Sequence, residues 1–460
     1  MMVHATDSSD SAILLSKPSD EKPVVFERTI VEYEDLSERF KHGSKDFSRQ
    51  FFHVYSIRLR ALTEPLAERA KAKWGNVTIY KLADLEDAQG KRAVVIGTLY
   101  KHQELKPSIL RELSEEQQLA PPTPRINYCS NKDQLFLEDE MLRIKIVGNH
   151  VNIKDMVTGI VCAVIGKENE DGTFDVEDWC FPGCVPRPAI SASQNAGKLL
   201  LISGLDLANR VESMSLNLLT EWIDGMIGDP AVQREEASIV RVIIAGNSIR
   251  GSAEIHTSKG HSGGKAQDSA AAKETAFAAQ RFDMFLSRIV ESCCVTLMPG
   301  QFDPTNHMLP QQPLHPCILP KSARFKSLQG VTNPWVGRIG SRIVSGTSGQ
   351  PIEDIMKVCD VSNVSPLVWL ERTLSWRHYC PTAPDTLSSY PYYEKDPFII
   401  EECPDIYFAG NMEKYESSLW KGEDGQTVRL ICVPRFCDSG TAVLVDLDTL
   451  DAQAISFGSS

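Results

Sequence analysis

Residues 242–251 read VIIAGNSIRG, an apolar run with the composition of a buried strand, followed by a glycine and a short polar turn. The arrangement recurs. KLLLIS (198–203) ends at Gly204, VRVIIA (240–245) at Gly246 and CCVTLMP (293–299) at Gly300. Between the second and third runs, Ala278, Phe282, Phe285 and Ile289 return at helical intervals, with Lys273, Arg281 and Arg288 away from that face. RIVSG, DIYFAG, TVRLICV and TAVLVDL supply further strands. Alternating strand and helix, with each loop of interest at a strand's C-terminal end, predicts an α/β architecture whose sites lie at those ends. One reading of Gly204, Gly246, Gly300 and Gly410 asks nothing of function, because glycine at a strand end permits a tight turn.

Working outward, 460 residues exceed the roughly 250 to 300 at which a single core stops growing, so two or more domains are expected. The balance of 48 basic against 61 acidic residues gives a net charge of -13, which repels phosphate backbones and leaves DNA only weak or indirect contact. The twelve Cys form no C-x-x-C pair; Cys180 with Cys184 and Cys432 with Cys437 come closest, and Cys293 and Cys294 are adjacent. Reduced, buried thiols of an intracellular protein are expected, with no metal or cofactor held by this chain. No apolar run approaches the roughly 20 residues of a membrane span, and the first residues lack the apolar region of a signal peptide.

Residues 1–25, rich in Ser, Asp and Lys, are expected to form a disordered tail. Residues 26–90 carry a helix whose stripe is Phe47, Phe51, Tyr55, Leu59, Leu62, Leu66 and Trp74, with Arg and Glu on the solvent side. From 91 to 185 the pattern shifts to short strands: KRAVVIGTLY, QLFLEDEMLRIKIVGN, MVTGIVCAVIGK and TFDVEDWCF, with Asp171 and Gly172 supplying a hairpin turn. Five or so strands in that length predict a Greek-key barrel of the OB type. Its acidic runs, Glu138 to Glu140 and Glu168 to Asp171, favour protein contacts over single-stranded DNA. The α/β region occupies 195–457.

Taken in order, the strand-end loops resemble the calcineurin-like metallophosphoesterase pattern D-x-H, G-D-x-x-D, G-N-H-D, H-G and G-H-x-H. Gly204 stands in the first Asp slot and Asp206 in the following His slot; Asn247 and Arg250 occupy the two Asp slots of the second loop. In PGQFDP, Gln301 and Phe302 replace Asn and His while Asp303 matches; Ser348 replaces the next His, and Asn411 and Glu413 the last two. A pair of divalent ions needs several carboxylate and imidazole ligands to offset mutual repulsion. Arg250 at about 6 Å from such an ion would add roughly 5 kcal/mol of repulsion at an effective dielectric of about 20. The resemblance therefore implies a site with no catalytic residue and no metal. GTSGQ (346–350) misses the last Gly of a hydrolase elbow, and His307, His315 and Cys317 share a Pro-rich loop better read as rigid surface than as a zinc site.

The segments MPGQFDPTNHMLPQQPLHPCILP, VTNPW, GTSGQPIEDI and RHYCPTAPDTLSSYPYYEKDPFI, with SILRELSEEQQL in the barrel region, are similar to the second-subunit (B-subunit) family of eukaryotic replicative DNA polymerases. That likeness implies an OB domain joined to an inactivated phosphoesterase domain, in a nuclear protein of DNA replication and repair synthesis. It implies a non-catalytic subunit that holds the catalytic subunit's cysteine-rich C-terminal domain, where an iron-sulfur cluster resides, and that carries a third accessory subunit. The rival expectation is an active metallophosphoesterase or nuclease relying on Asp206, Asp303 and Glu413.

Overall fold

The computed structural model describes residues 26–43, 46–88, 90–106, 125–187, 197–209, 213–252, 264–360, 362 and 364–458. The tail expected over 1–25 and the segment SILRELSEEQQL lie outside them. Strand β1 (Tyr33–Asp35) is followed by helix α1 (Phe52–Trp74), which Gly75 ends at φ +81. Its buried line is Val54, Arg58, Leu62, Leu66 and Ala70, one residue in every four. The expected stripe is corrected at its start. Phe47 precedes the helix, Phe47 and Phe51 are exposed, and a cation, Arg58, lies on the buried face because it meets acceptors there.

Strands β2 (Ile79–Tyr80), β3 (Ala93–His102), β4 (Gln134–Glu138), β5 (Arg143–Val147), β6 (Val161–Glu168) and β7 (Thr173–Cys180) form one sheet. β3 pairs antiparallel with both β4 and β6, β5 runs parallel to β7, and β6 pairs with β7, so five strands close on themselves. Leu135 and Leu137 of β4 and Ile144 and Ile146 of β5 alternate inward, as a two-residue period requires. The expected turn is present: Gly172 adopts φ +75, and the Asp171 carboxylate accepts from the Thr173 amide and hydroxyl.

The remainder runs β8 (Lys198–Ile202), α2 (Met214–Ile223), α3 (Pro230–Ala237), β9 (Ile239–Ala245), α4 (Gly264–Ser292), β10 (Cys294–Met298), β11 (Leu328–Gly330), β12 (Trp335–Ile339), β13 (Arg342–Thr347), α5 (Gln350–Val358), α6 (Pro366–Ser375), β14 (Ile406–Met412), β15 (Glu416–Lys421), β16 (Thr427–Pro434), α7 (Phe436–Ser439), β17 (Thr441–Asp446) and β18 (Ala452–Ser456). Two six-stranded sheets result, β11-β10-β9-β8-β17-β18 and β1-β12-β13-β14-β16-β15. β8 to β11 are mutually parallel, as are β13, β14 and β16. Because side chains alternate, Leu199 and Leu201 face the second sheet, packing with Ile243, Val344, Phe408 and Ile431, while Leu200 and Ile202 face α4 through Phe282, Leu286 and Ile289. Burial on both faces explains why these strands read as mainly apolar runs.

Helices α5 and α6 cover the second sheet, and their core is continuous with that of the barrel. Polar bonds cross the same junction. Lys101 and Gln103 of the barrel region donate to the carbonyl of Val358, and Asn127 donates to those of Met356 and Cys359. Arg58 donates to the carbonyls of Gly159, Pro381 and Ala383 and to Asp396 Oδ2 at 2.7 Å, all of it buried. Among the described residues no helix is long and apolar enough to cross a membrane.

Candidate functional site

Because β8, β9, β10, β13 and β14 are parallel within their sheets, their C-terminal loops collect at one end of the sandwich. There the loops bond to one another. The Gly204 amide donates to the Gly246 carbonyl at 3.0 Å and the Asp206 amide to the Asn247 carbonyl at 3.1 Å. Asn411 donates its side-chain amide to the carbonyls of Ala245 and Ser348, and its backbone amide to Ser203 Oγ. Asn247 Oδ1 accepts from the Phe302 amide at 3.2 Å.

The backbone here is unusual. Asp206, Asn247 and Asn411 have φ of 47, 54 and 58, in the left-handed region, together with Gly204 at 62 and Gly246 at 79. Asn and Asp are the non-glycine residues that tolerate it best, at a cost of about 1 kcal/mol or more each. Their side-chain bonds offset that strain.

The carboxylates present are already engaged. Asp206 accepts two bonds from Asn209 Nδ2, at 3.0 and 2.8 Å, and one from the Gly251 amide at 2.7 Å. Asp303 is buried and accepts from the amides of Ile249, Gly300 and Ser248. Burial pushes its carboxyl above the usual range, and those amides pull the other way. Arg250 is buried and donates to Thr275 Oγ1 at 2.8 Å. Ser348 takes a bond from Asn333 Nδ2 and contacts Gln350 Oε1, so amides surround it where an elbow nucleophile needs an imidazole. Gln301 and Phe302 are half-buried at the rim, and Glu413 is exposed, outside the cluster that the pattern would place it in.

Little space remains at the centre. A Cβ on Gly300 would lie 2.2 Å from the Asn247 nitrogen, and one on Gly246 would lie 2.7 Å from both Gly300 Cα and Ser348 Cβ. Among the described residues no group of three or more His, Cys, Asp or Glu side chains converges to hold a metal ion. A two-metal centre does not fit the described donors: among the described residues no imidazole joins them, Asp206 and Asp303 bond backbone amides, and Arg250 brings positive charge. His315 Nδ1 accepts from the Cys317 amide instead, capping its own turn.

Three further sets of residues lie outside the motif pattern. Gln311, Asn333 and Gln350 form an amide network that ties the Pro-rich loop to Ser348. Arg435, after β16, donates to the Asn411 carbonyl at 3.1 Å. His378 joins Arg58 on Asp396 at 3.0 Å. Nothing local in the sequence marks them, since each acts through partners distant in the chain.

Residues 199–417 match the B-subunit family model of DNA polymerase alpha/epsilon, and residues 50–179 match that of the DNA polymerase delta subunit OB-fold domain. The barrel is thus an OB fold, and the class is that of polymerase B subunits. DNA polymerase delta subunit 2 of Drosophila melanogaster is 42% identical over 432 residues, 94% of this chain and 98% of that protein. The DNA polymerase delta small subunit of Oryza sativa subsp. japonica is 38% identical over 436 residues, 94% and 99%. That of Saccharomyces cerevisiae is 29% identical over 459 residues, 90% of each. This chain belongs to the family of DNA polymerase delta small subunits, accessory subunits of DNA replication.

Proposed function

We propose that the chain is a non-catalytic scaffold of the nuclear DNA polymerase delta assembly, holding the cysteine-rich C-terminal domain of the catalytic subunit and carrying a third accessory subunit. The α/β sandwich of 195–457 is read as a phosphoesterase fold whose ligands have been replaced, with the helical segment of 26–90 and the barrel of 91–185 packed on it. One observation carries this reading: the five strand-end loops are bonded to each other through Asn247, Asp303 and Asn411, the groups that would otherwise face substrate. Left-handed backbone at Asp206, Asn247 and Asn411 fits an inherited site geometry now serving rigidity.

The iron-sulfur cluster is assigned to the catalytic partner. Burial pushes the thiols of Cys293, Cys359 and Cys432 up to about 11, 12 and 12, which favours their protonated form. The test is elemental analysis after manganese loading, with a phosphoester hydrolysis assay and co-expression of the three subunits. No stoichiometric metal, no turnover and a three-way complex of equal proportions are expected. Two ions per chain with an activity abolished by Asp206→Ala would establish the enzyme instead.

A further inference from the structure

The outer face of the α/β region carries a groove of about 650 Å³ between α2 and α4. Its lining includes solvent-facing apolar side chains: Met214 on α2 is 78% exposed and Met284 on α4 is 55% exposed. Along α4, Phe277, Arg281, Met284 and Arg288 follow at intervals of four, three and four, which places them on one stripe. Phe277 is exposed as well, and the Arg281 guanidinium sits 5.3 Å from its ring centroid. Apolar and basic groups thus alternate along about 16 Å of helix.

The charge runs against the chain as a whole. The net charge is -13, yet among the described residues the charged ones lining this groove are Arg281, Arg288 and Lys321. Asp224, beyond the end of α2, pairs with Arg288 at 3.4 Å and is mostly covered. The groove is also held in shape. Asp283, buried on α4, accepts from the amides of Lys321 and Ser322 and from Ser322 Oγ, which fixes the turn bearing Lys321 against the helix.

We propose that this groove docks an acidic amphipathic helix of a protein partner, its apolar face against Met214, Met284 and Phe277 and its carboxylates against Arg281, Arg288 and Lys321. A groove walled by two helices accepts a third helix by its apolar stripe. Flexible methionines adapt to the knobs of such a stripe, and an exposed apolar patch of this kind marks an interface. Single-stranded nucleic acid is less well matched, because stacking needs successive aromatic platforms and Phe277 is the exposed ring here. The proposal rests on the reading of the chain as a scaffold and assigns one of its surfaces to a class of partner.

The probe is a fluorescein-labelled peptide with Leu at helical i, i+3, i+4 and i+7 positions and Glu and Ala elsewhere, with a Lys-for-Glu counterpart, titrated by anisotropy into the purified full chain. The acidic peptide should bind about tenfold or more tightly than the basic one. Arg288→Glu with Lys321→Glu, and separately Met284→Asp, should each cost it about tenfold or more, while the remote Lys167→Glu leaves it unchanged. Thermal melts confirm folding of each variant. Equal affinity for the two peptides, or indifference to the groove variants, overturns the proposal; so does an oligothymidine that displaces the peptide and loses binding in the same variants. Pull-down of the catalytic subunit is measured in parallel and should survive the groove substitutions. Its absence with the wild-type chain would remove the scaffold reading while leaving the peptide result to decide the groove.

Discussion

A methyl group on Gly300 would stand 2.2 Å from the backbone nitrogen of Asn247 and 2.3 Å from its Oδ1, and neither atom is the free end of a flexible chain. Gly300→Ala must therefore part the second and third loops, breaking the bonds from Phe302 to Asn247 and from Ser248 and Ile249 to Asp303. A loss of about 3 kcal/mol or more is expected in chemical denaturation. Gly425→Ala, at φ +79 with nothing within 4 Å, should cost only about 1 kcal/mol of backbone strain. Equal losses would mean that the loops are not packed as described. His378 gives the second prediction at this scale. Burial first, and then the Arg58 charge, depress its pKa from 6.5 to about 4. Between those values the unfolded chain binds the proton and the folded one does not, so stability is full above pH 6.5 and falls as pH drops toward 4. The loss is of order 3 kcal/mol. His378→Gln should flatten that slope in denaturation midpoints taken from pH 7 to 4.5; an unchanged slope would place the acid sensitivity elsewhere.

Helix α1 shows how far a pattern carries at the scale of an element. Leu62 and Leu66 lie on its core face as periodicity requires, but the line continues through Arg58, which periodicity treats as solvent-facing. The reason is tertiary, since its charge partner Asp396 is 338 residues away. No local window reports such a pairing. Strand identity, by contrast, was legible in β8, β9 and β10, whose double burial favours apolar residues at most positions, with the buried Arg241 and Thr296 bonded to each other. Arg58→Met follows from the same geometry. It deletes four buried bonds and leaves Asp396, whose carboxyl those partners hold well below the usual range, with His378 and the Phe398 amide. A loss of about 3 to 5 kcal/mol is expected. His378 should then titrate nearer its ordinary range in NMR, because one cause of its depression has gone. A variant as stable as the parent, or an unmoved His378, would show that Arg58 does not anchor the helix.

At the scale of the molecule, the OB barrel and the mixed α/β sheets were legible because strands, turns and glycine punctuation are local signals. Which loops would meet was legible only as an order of motifs. That Gln311, Asn333 and Gln350 would lock them was not, since amide side chains in loops have no period. The same contrast bears on DNA. An OB barrel invites a single strand, and this one offers Tyr100 and Phe136, with ring centroids 6.3 Å apart. Yet the Arg143 guanidinium lies 4.9 and 5.7 Å from those two ring centroids and pairs with Glu138 at 2.8 Å. Asp139 and Glu140 stand beside them on the same hairpin. The platform is thus capped by the chain's own cation and rimmed by carboxylates, on a molecule of net charge -13. Anisotropy with a labelled oligothymidine at physiological salt should show only weak binding that falls further as salt is raised. Glu140→Lys, which replaces an exposed carboxylate at the rim by a cation, should strengthen it severalfold at low salt, because each added phosphate contact releases counterions. Nanomolar, salt-resistant binding by the unaltered chain, or indifference to Glu140→Lys, would show that a strand reaches the barrel by another path.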